Sequence, residues 1–151
     1  MFSVRQSALL PYGAGEMYAL VVDIESYPSF LPWCRSIQVH ERGEGRVRAT
    51  LEVARGPFRH AFTTENRLEA DRAIEMHLVS GPFQHLYGIW RFEPLGARGS
   101  KVTLELDFDF SSRVLAATLG PVFSDITRRL VDAFRKRAIQ VYGKGQRHDT
   151  G

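Results

Sequence analysis

Six consecutive segments of the sequence alternate apolar with polar residues, and this alternation constrains the fold more than any other feature. The segments lie between residues 37 and 110 and are separated by short turns, most of which contain glycine. A period of two is typical of strands with one buried and one solvated face, and short turns join such strands in antiparallel order. Together with an alternating segment at residues 4–10, they predict a seven-stranded antiparallel sheet.

Helical periodicity replaces the alternation on both sides of this series. A first helix is predicted by an i, i+3, i+4, i+7 pattern that consists of Met17, Leu20, Val21 and Ile24. A longer C-terminal helix is predicted by one apolar stripe that consists of Leu115, Leu119, Val122, Phe123, Ile126, Leu130 and Phe134. The simplest way to bury both apolar faces is an α+β fold, in which the sheet curves around the long helix. Such a sheet can leave an apolar cavity against the helix, which is the first indication of function.

Local signals set the ends of the long helix. Ser111 or Ser112 is a suitable N-cap, and Gly143 is a suitable residue for the C-terminal end. Gly120-Pro121 lies inside the apolar stripe, so we expect a kink or a break there.

The chain is expected to form one domain over residues 1–143, followed by a flexible basic tail at residues 144–151. Its 151 residues are the usual size of one domain and bury enough surface to fold without disulfides or metals. One cysteine excludes an intrachain disulfide framework, and the longest apolar stretch is about half of a bilayer span. We expect a soluble protein of a reducing compartment, most simply a bacterial cytoplasm.

Positive charge is concentrated near the C-terminus. Residues 112–151 carry a net charge of +5, whereas residues 1–111 carry −2. Such asymmetry indicates an anionic partner, either a membrane surface or a nucleic acid. The expected surface for this partner lies off the apolar stripe and consists of Arg128, Arg129, Arg135 and Lys136. The alternative is a solvated helix face on which Asp residues offset their neighbours.

The sequence lacks the motifs of common catalytic and cofactor sites, and we expect neither a metal nor a cofactor. It has no dinucleotide fingerprint, phosphate loop, zinc-protease motif or nucleophile elbow, and its five histidines are not spaced as metal ligands. His60 shares the inward face of its strand with Thr64 and Asn66. It is predicted either as a polar residue at the cavity edge or as a group that orients a ligand or transfers a proton. Cys34 is expected to pack as a small apolar residue.

An apolar segment after the first helix follows neither period. Phe30, Leu31 and Trp33 supply apolar area there, and Pro28 and Pro32 stiffen the backbone. A loop this apolar is buried, or it covers something apolar. The segment predicts either a lid at the cavity entrance or a plug that seals the core.

Four motifs resemble one protein family. Residues 27–34, with the sequence YPSFLPWC, are the most specific, and residues 83–92, 102–110 and 131–143 supply the others. Together they resemble the coenzyme-Q-binding protein and ribosome association toxin family, of the START-like, polyketide cyclase/dehydrase superfamily, over about residues 3 to 143. The resemblance implies a helix-grip fold, in which a curved seven-stranded sheet surrounds a long C-terminal helix with an apolar cavity between them.

Three functional hypotheses follow from the resemblance and the residues together. In the preferred one, the protein is a non-enzymatic carrier or chaperone that binds ubiquinone or a similar polyprenyl lipid and supports respiratory electron transport, in contact with the anionic inner membrane. In the second, it is a toxin that binds the large ribosomal subunit and blocks subunit joining. In the third, it is a polyketide cyclase or dehydrase, for which only His60 is available as acid or base.

The ligand site is predicted from the inward residues of the sheet, the helix stripe and the apolar segment. The expected ligand-binding residues are Phe30, Leu31, Trp33, His60, Phe62, Trp90, Phe108, Leu119, Phe123 and Ile126. Those expected to line one apolar pocket are Phe62, Trp90, Phe108, Leu119, Phe123 and Ile126.

Overall fold

The computed structural model describes residues 1–56 and 58–143, so the tail predicted at residues 144–151 lies outside the described residues. The chain forms a seven-stranded antiparallel sheet in the order β1-β7-β6-β5-β4-β3-β2. Its strands are β1 (Phe2–Leu10), β2 (Cys34–Gly43), β3 (Arg46–Arg55), β4 (Phe58–Glu69), β5 (Ala73–Ser80), β6 (Phe83–Leu95) and β7 (Gly99–Phe110). The predicted sheet, with its meander of six consecutive strands, is confirmed.

Strand β7 shows how the period of two builds the core. Its buried apolar residues are Val102, Leu104, Leu106, Phe108 and Phe110, and the residues between them are exposed or half-buried. The strand pairs with β1 on one side and with β6 on the other, which brings Leu104 opposite Trp90. The sheet therefore presents one continuous apolar face to the helices.

A glycine on β6 lies where the sheet has no room for a side chain. Gly88 pairs with Met76 on β5 and with Leu106 on β7. A Cβ atom at Gly88 would lie 2.6 Å from the Met76 Cε atom and 2.6 Å from the Leu106 Cδ1 atom, which is closer than van der Waals contact. The glycine lets side chains of two flanking strands meet on the inner face.

Four α-helices cover this face in the part of the chain that the structure describes. They are α1 (Ala14–Val22), α2 (Tyr27–Phe30), α3 (Arg113–Arg128) and α4 (Leu130–Tyr142), with a 3-10 turn at Ile24–Ser26. Ser112 is the N-cap of α3, since its Oγ atom accepts a 3.1 Å hydrogen bond from the Leu115 N–H. Gly143 follows α4 with a φ of 82°, as expected for a glycine at a helix end.

Of the kink or break expected at Gly120-Pro121, the break is wrong, because α3 continues through Pro121 and the helix is interrupted at Arg129. The Arg129 N–H donates to the Ile126 carbonyl at 3.2 Å, which tightens the last turn of α3. The Thr127 hydroxyl donates to the carbonyls of Phe123 and Ser124 at 3.0 and 3.1 Å. Such side-chain bonds to helix carbonyls favour bending, and here they lie two residues before the interruption at Arg129.

The core is packed at two ends. One, called the aromatic end here, lies under α3 and consists of Phe2, Phe62, Phe83, Phe108, Phe110 and Phe123. The other lies under α1 and α4 and includes Met17, Trp90, Leu104 and Phe134. None of the helices within residues 1–56 and 58–143 combines the length and the apolar character needed to span a membrane.

Candidate functional site

A cavity of about 90 Å³ lies between the inner face of the sheet and the junction of α3 with α4, where the sequence predicted one. Strands β3 to β7 supply one wall, which consists of Ala49, Leu51, Phe62, Thr64, Asn66, Met76, Leu86, Trp90, Leu104 and Leu106. The helices and the apolar segment supply the opposite wall, which consists of Ile24, Tyr27, Trp33, Phe123, Ile126, Thr127, Leu130 and Phe134. The cavity therefore touches residues from both packed ends of the core.

The wall of this cavity is poor in groups that could catalyse a reaction. Among the described residues that line it, none is an acid, a histidine, a lysine or an arginine. The Tyr27 hydroxyl donates to the Val21 carbonyl, and burial raises the pKa of Tyr27 well above its ordinary value. The Thr127 hydroxyl is held by its own helix. The described wall is therefore mainly apolar.

Asn66 is the exception on this wall. Strand β4 places it between Val47 on β3 and Met76 on β5. Its Oδ1 atom is buried and has no hydrogen-bond partner among the described residues. The sequence placed Asn66 on the inward face but did not single it out, because alternation does not reveal which polar side chain lacks a partner.

A second depression, called the outer groove here, lies outside the cavity and has a volume of about 760 Å³. It runs between residues 30–33 and the outer side of the α3–α4 junction. Trp33 and Ile126 line both the outer groove and the cavity. The cavity and the outer groove therefore adjoin at these two side chains.

The backbone of the apolar segment is fixed on both sides of Trp33. The Leu31 N–H donates to the Tyr27 carbonyl at 2.9 Å, the Cys34 N–H to the Leu31 carbonyl at 3.0 Å, and the Ala54 N–H to the Trp33 carbonyl at 2.8 Å. The side chains of Leu31 and Cys34 are buried, whereas that of Trp33 is half-buried. Leu31 and Cys34 therefore pack in the core, whereas Trp33 lines the cavity.

Cys34 fits the packing role that its sequence context indicated. Burial raises the pKa of its thiol to about 11, so that little thiolate forms at neutral pH. Its side chain is 3% exposed.

The structure brings half of the predicted ligand-binding residues together. Those that line the cavity are Trp33, Phe62, Trp90, Phe123 and Ile126. Phe30 and Leu31 line the outer groove instead, where the Phe30 ring packs against Phe134 with a 5.3 Å centroid distance.

Phe108 and Leu119 do not line the cavity, which corrects the expectation that they would. Both are buried in the same cluster at the aromatic end, and the Phe108 ring lies 4.9 Å from that of Phe123 and 5.2 Å from that of Phe2. Alternation identified their inward orientation, but large neighbouring rings already fill the space that they face.

His60 is also absent from the described cavity wall. It lies beside Val53, Phe62 and Phe83, at the edge of the aromatic end. His60 precedes Phe62 by two residues, which keeps it on the same face but moves it roughly 7 Å along the strand. This shift carries it past the cavity.

The predicted anionic-partner surface is exposed but partly offset by nearby carboxylates. Arg129 pairs with Asp125 at 3.2 Å, and both Arg135 (2.8 Å) and Lys136 (3.4 Å) pair with Asp132. A hydrogen bond from Arg135 is the main cause that lowers the pKa of Asp132. The solvated-face alternative therefore describes much of this surface.

The outer groove is lined by several cations and by the Asp132 carboxylate. Arg129 and Lys136 line it together with Arg55 and Arg137, whereas Arg128 and Arg135 do not. The Arg137 guanidinium lies over the Phe30 ring at 4.8 Å. Arg55 comes from the end of β3, so the C-terminal charge pattern could not reveal it.

Three comparisons with known proteins bear on this geometry. The family model described as "Polyketide cyclase / dehydrase and lipid transport" matches residues 10–135. The chain is 47% identical to a Pseudomonas aeruginosa protein named ribosome association toxin RatA, over 93% of this chain and 97% of that protein. It is 30% identical to the mitochondrial Coenzyme Q-binding protein COQ10 homolog B of Xenopus laevis, over 92% of this chain and 59% of that protein.

A solved structure shares the fold. The START superfamily protein from Mycobacterium smegmatis superimposes with a TM-score of 0.78 at 20% identity, covering 92% of this chain and 98% of that one. The predicted START-like helix-grip fold class is confirmed.

Proposed function

The chain belongs to the polyketide cyclase/dehydrase and lipid transport family, as its motifs predicted, and from this premise we propose that it binds one elongated apolar lipid as a carrier or chaperone. A polyprenyl quinone such as ubiquinone is the leading candidate, in support of respiratory electron transport at the inner membrane. The observation that carries the proposal is the apolar cavity, whose described wall holds no acid or base suited to catalysis. The coenzyme-Q-binding relative supports the choice of ligand.

The size of the cavity requires it to open. At about 90 Å³ it is far below the roughly 300–1,000 Å³ of common ligand pockets. The outer groove offers about 760 Å³ directly beyond Trp33 and Ile126. Rotation of the Trp33 side chain would join the two volumes without breaking the hydrogen bonds of its backbone. We therefore assign Trp33 the role of a gate.

Native mass spectrometry of the purified protein, followed by extraction of bound lipid, tests the proposal. We expect one lipid per chain. Ala49→Leu adds three carbon atoms to the cavity wall and should abolish lipid retention, whereas Ala97→Leu makes the same change at an exposed turn and should not. If the purified protein carries no lipid and binds no added quinone, the proposed carrier function is wrong.

A second candidate function is binding to the large ribosomal subunit, which would place the protein in the cytoplasm. The name of the 47%-identical relative and the cations of the outer groove favour it. Replacing Arg128, Arg129, Arg135 and Lys136 by Gln should sharply reduce co-sedimentation with large subunits. Binding of the parent protein should also weaken steeply as salt rises, because each phosphate contact releases counterions.

Two charge-matched double variants locate such a contact. Arg129→Gln/Lys136→Gln removes two cations from the outer groove, and Arg128→Gln/Arg135→Gln removes two from outside it. The groove pair should cost more ribosome binding, since Arg55 and Arg137 add to the field there. If anionic vesicles are the partner, the quadruple variant should instead lose vesicle attachment while still taking up quinone from detergent. If all three variants bind ribosomes and anionic vesicles as well as the parent protein does, the basic surface is only a solvated helix face.

A further inference from the structure

We propose that Asn66 recognises a carbonyl or hydroxyl oxygen on the head of the bound lipid, so that the lipid enters head first and leaves its tail in the outer groove. This inference rests on the proposed function. It adds the orientation of the ligand and the chemistry of its buried end.

The amide of Asn66 can still form a hydrogen bond, in contrast to two hydroxyls on the same wall. Its buried Oδ1 atom lacks a partner within the described chain, whereas the hydroxyls of Tyr27 and Thr127 donate to backbone carbonyls. Buried polar groups without partners are rare in folded proteins, because the lost hydration is not replaced. A polar atom of a ligand would replace it. The amide offers an acceptor to a hydroxyl and, after rotation about its last torsion, a donor to a carbonyl.

The position of Asn66 sets the direction of the ligand. Asn66 pairs with Val47 on β3, whereas the Trp33 carbonyl is bonded to Ala54 at the other end of the same strand. Seven residues of β3 separate these two pairing positions, and the side chains of Asn66 and Trp33 reach the same small cavity from its two sides. The polar group therefore lies at the end of the cavity far from the gate, and a head that reaches it must enter before the tail.

The outer groove can receive an apolar tail on one of its sides. Phe30, Leu31, Pro32 and Trp33 line this side, while the cations come from β3 and from α3 and α4. A tail leaving past Trp33 and Ile126 would lie against the apolar side. The unpartnered amide at one end of the path and the apolar strip at the other match a lipid with a small oxygen-bearing head and a long hydrocarbon tail.

A matched pair of ligands and one substitution test the assignment. Decylubiquinone carries carbonyl oxygens on its ring, and n-decylbenzene has a tail of the same length and no polar atom. By calorimetry, Asn66→Leu should weaken decylubiquinone binding about fivefold to tenfold, which corresponds to one hydrogen bond, and should leave n-decylbenzene binding unchanged or tighter. Gln38→Leu replaces an exposed amide on β2 and is the matched control, expected to change neither affinity.

The outcomes separate the inference from the function on which it rests. Equal loss or equal retention of the two ligands in Asn66→Leu would overturn the role of Asn66 while keeping the cavity as a lipid site. Binding of neither ligand to the parent protein would count against the lipid function itself. If Asn66→Leu fails to fold, Asn66→Ala removes the same amide without adding bulk, and the same discrimination between the ligands is expected.

Discussion

The aromatic end and the cavity region use the same strands and the same helix, yet they are packed differently. At the aromatic end, the ring of Phe83 lies 4.9 Å from that of Phe110 and 5.1 Å from that of Phe123. At the cavity, the same sheet leaves about 90 Å³ unfilled and one amide oxygen without a partner. The comparison indicates that the rings of the aromatic end fill their space, whereas the region between the two packed ends of the core leaves space unfilled.

Strand β7 contributes to both regions within a few residues. Phe108 belongs to the aromatic end, whereas Leu104 and Leu106 line the cavity. The alternation is the same in both, so side-chain volume and the helix above each region make the difference. Above the aromatic end α3 is continuous, and above the cavity the helix is interrupted at Arg129.

The largest expected effect comes from creating a cavity at the aromatic end. Phe108→Ala removes a side chain that is 0% exposed and that stacks on Phe2. We expect the free energy of unfolding to fall by about 3–5 kcal/mol, because the rigid rings around it cannot collapse into the void. Urea denaturation followed by circular dichroism measures this loss. Leu95→Ala, at an exposed residue of β6, is the control and should change stability little. A loss below about 1 kcal/mol in Phe108→Ala would contradict the contrast between the aromatic end and the cavity region.

A change of opposite sign is expected at the cavity. Asn66→Leu replaces a half-buried amide, whose buried oxygen has no partner among the described residues, by an apolar side chain of similar size and should raise the free energy of unfolding by about 1–2 kcal/mol. The same denaturation experiment measures it. Asn66→Asp, which places a charge at this position, should be destabilising. Loss of stability in Asn66→Leu would mean that the amide already has a structural partner.

Most of the fold was predictable because its signals are local. Alternation and the helix stripe each repeat within a few residues, and the ends of the last helix depend on single residues, Ser112 and Gly143. The position of the helix break was not predictable in this way. Pro121 is the stronger sequence signal, but the helix is interrupted at Arg129, just after the Thr127 hydroxyl bonds to two helix carbonyls that the sequence does not specify.

The sequence predicted which side chains point inward, but not which of them line the cavity. Alternation identified Phe62 and Trp90 as inward, and both line the cavity. Alternation also predicted Phe108 as a cavity residue. It could not show that the space beside Phe108 is filled, because the side chains that fill it come from distant parts of the chain. Arg55 and the partner status of Asn66 are equally non-local, since each depends on which strand or helix lies opposite.

The smallest expected effect concerns the ion pairs that lie over the cavity region and not over the aromatic end. Asp125 on α3 pairs with Arg55 on β3 at 2.5 Å and with Arg129 at 3.2 Å. The hydrogen bond from Arg55 is the main cause that holds the pKa of Asp125 below its ordinary value. A lowered folded-state pKa means that the stabilisation is complete above the ordinary Asp pKa of about 4 and is lost as pH falls through the folded-state pKa. The side chains of the aromatic end do not titrate, so acid should loosen the outer groove before it affects the packed rings.

Trp33 emission, measured in a Trp90→Phe background between about pH 5 and pH 2, follows this local change. We expect emission to shift on the acid side before the far-ultraviolet circular dichroism changes, with only a small loss of global stability, because exposed ion pairs contribute little. Asp125→Asn in the same background has no carboxylate to titrate and should show a weaker acid shift. If the Trp90→Phe protein and its Asp125→Asn variant show the same acid shift in emission, Asp125 does not join β3 to α3 in solution. In that case the gate at Trp33 is held by its backbone hydrogen bonds and by Leu31 and Cys34 alone, and the cavity region is more rigid than its unfilled volume suggests.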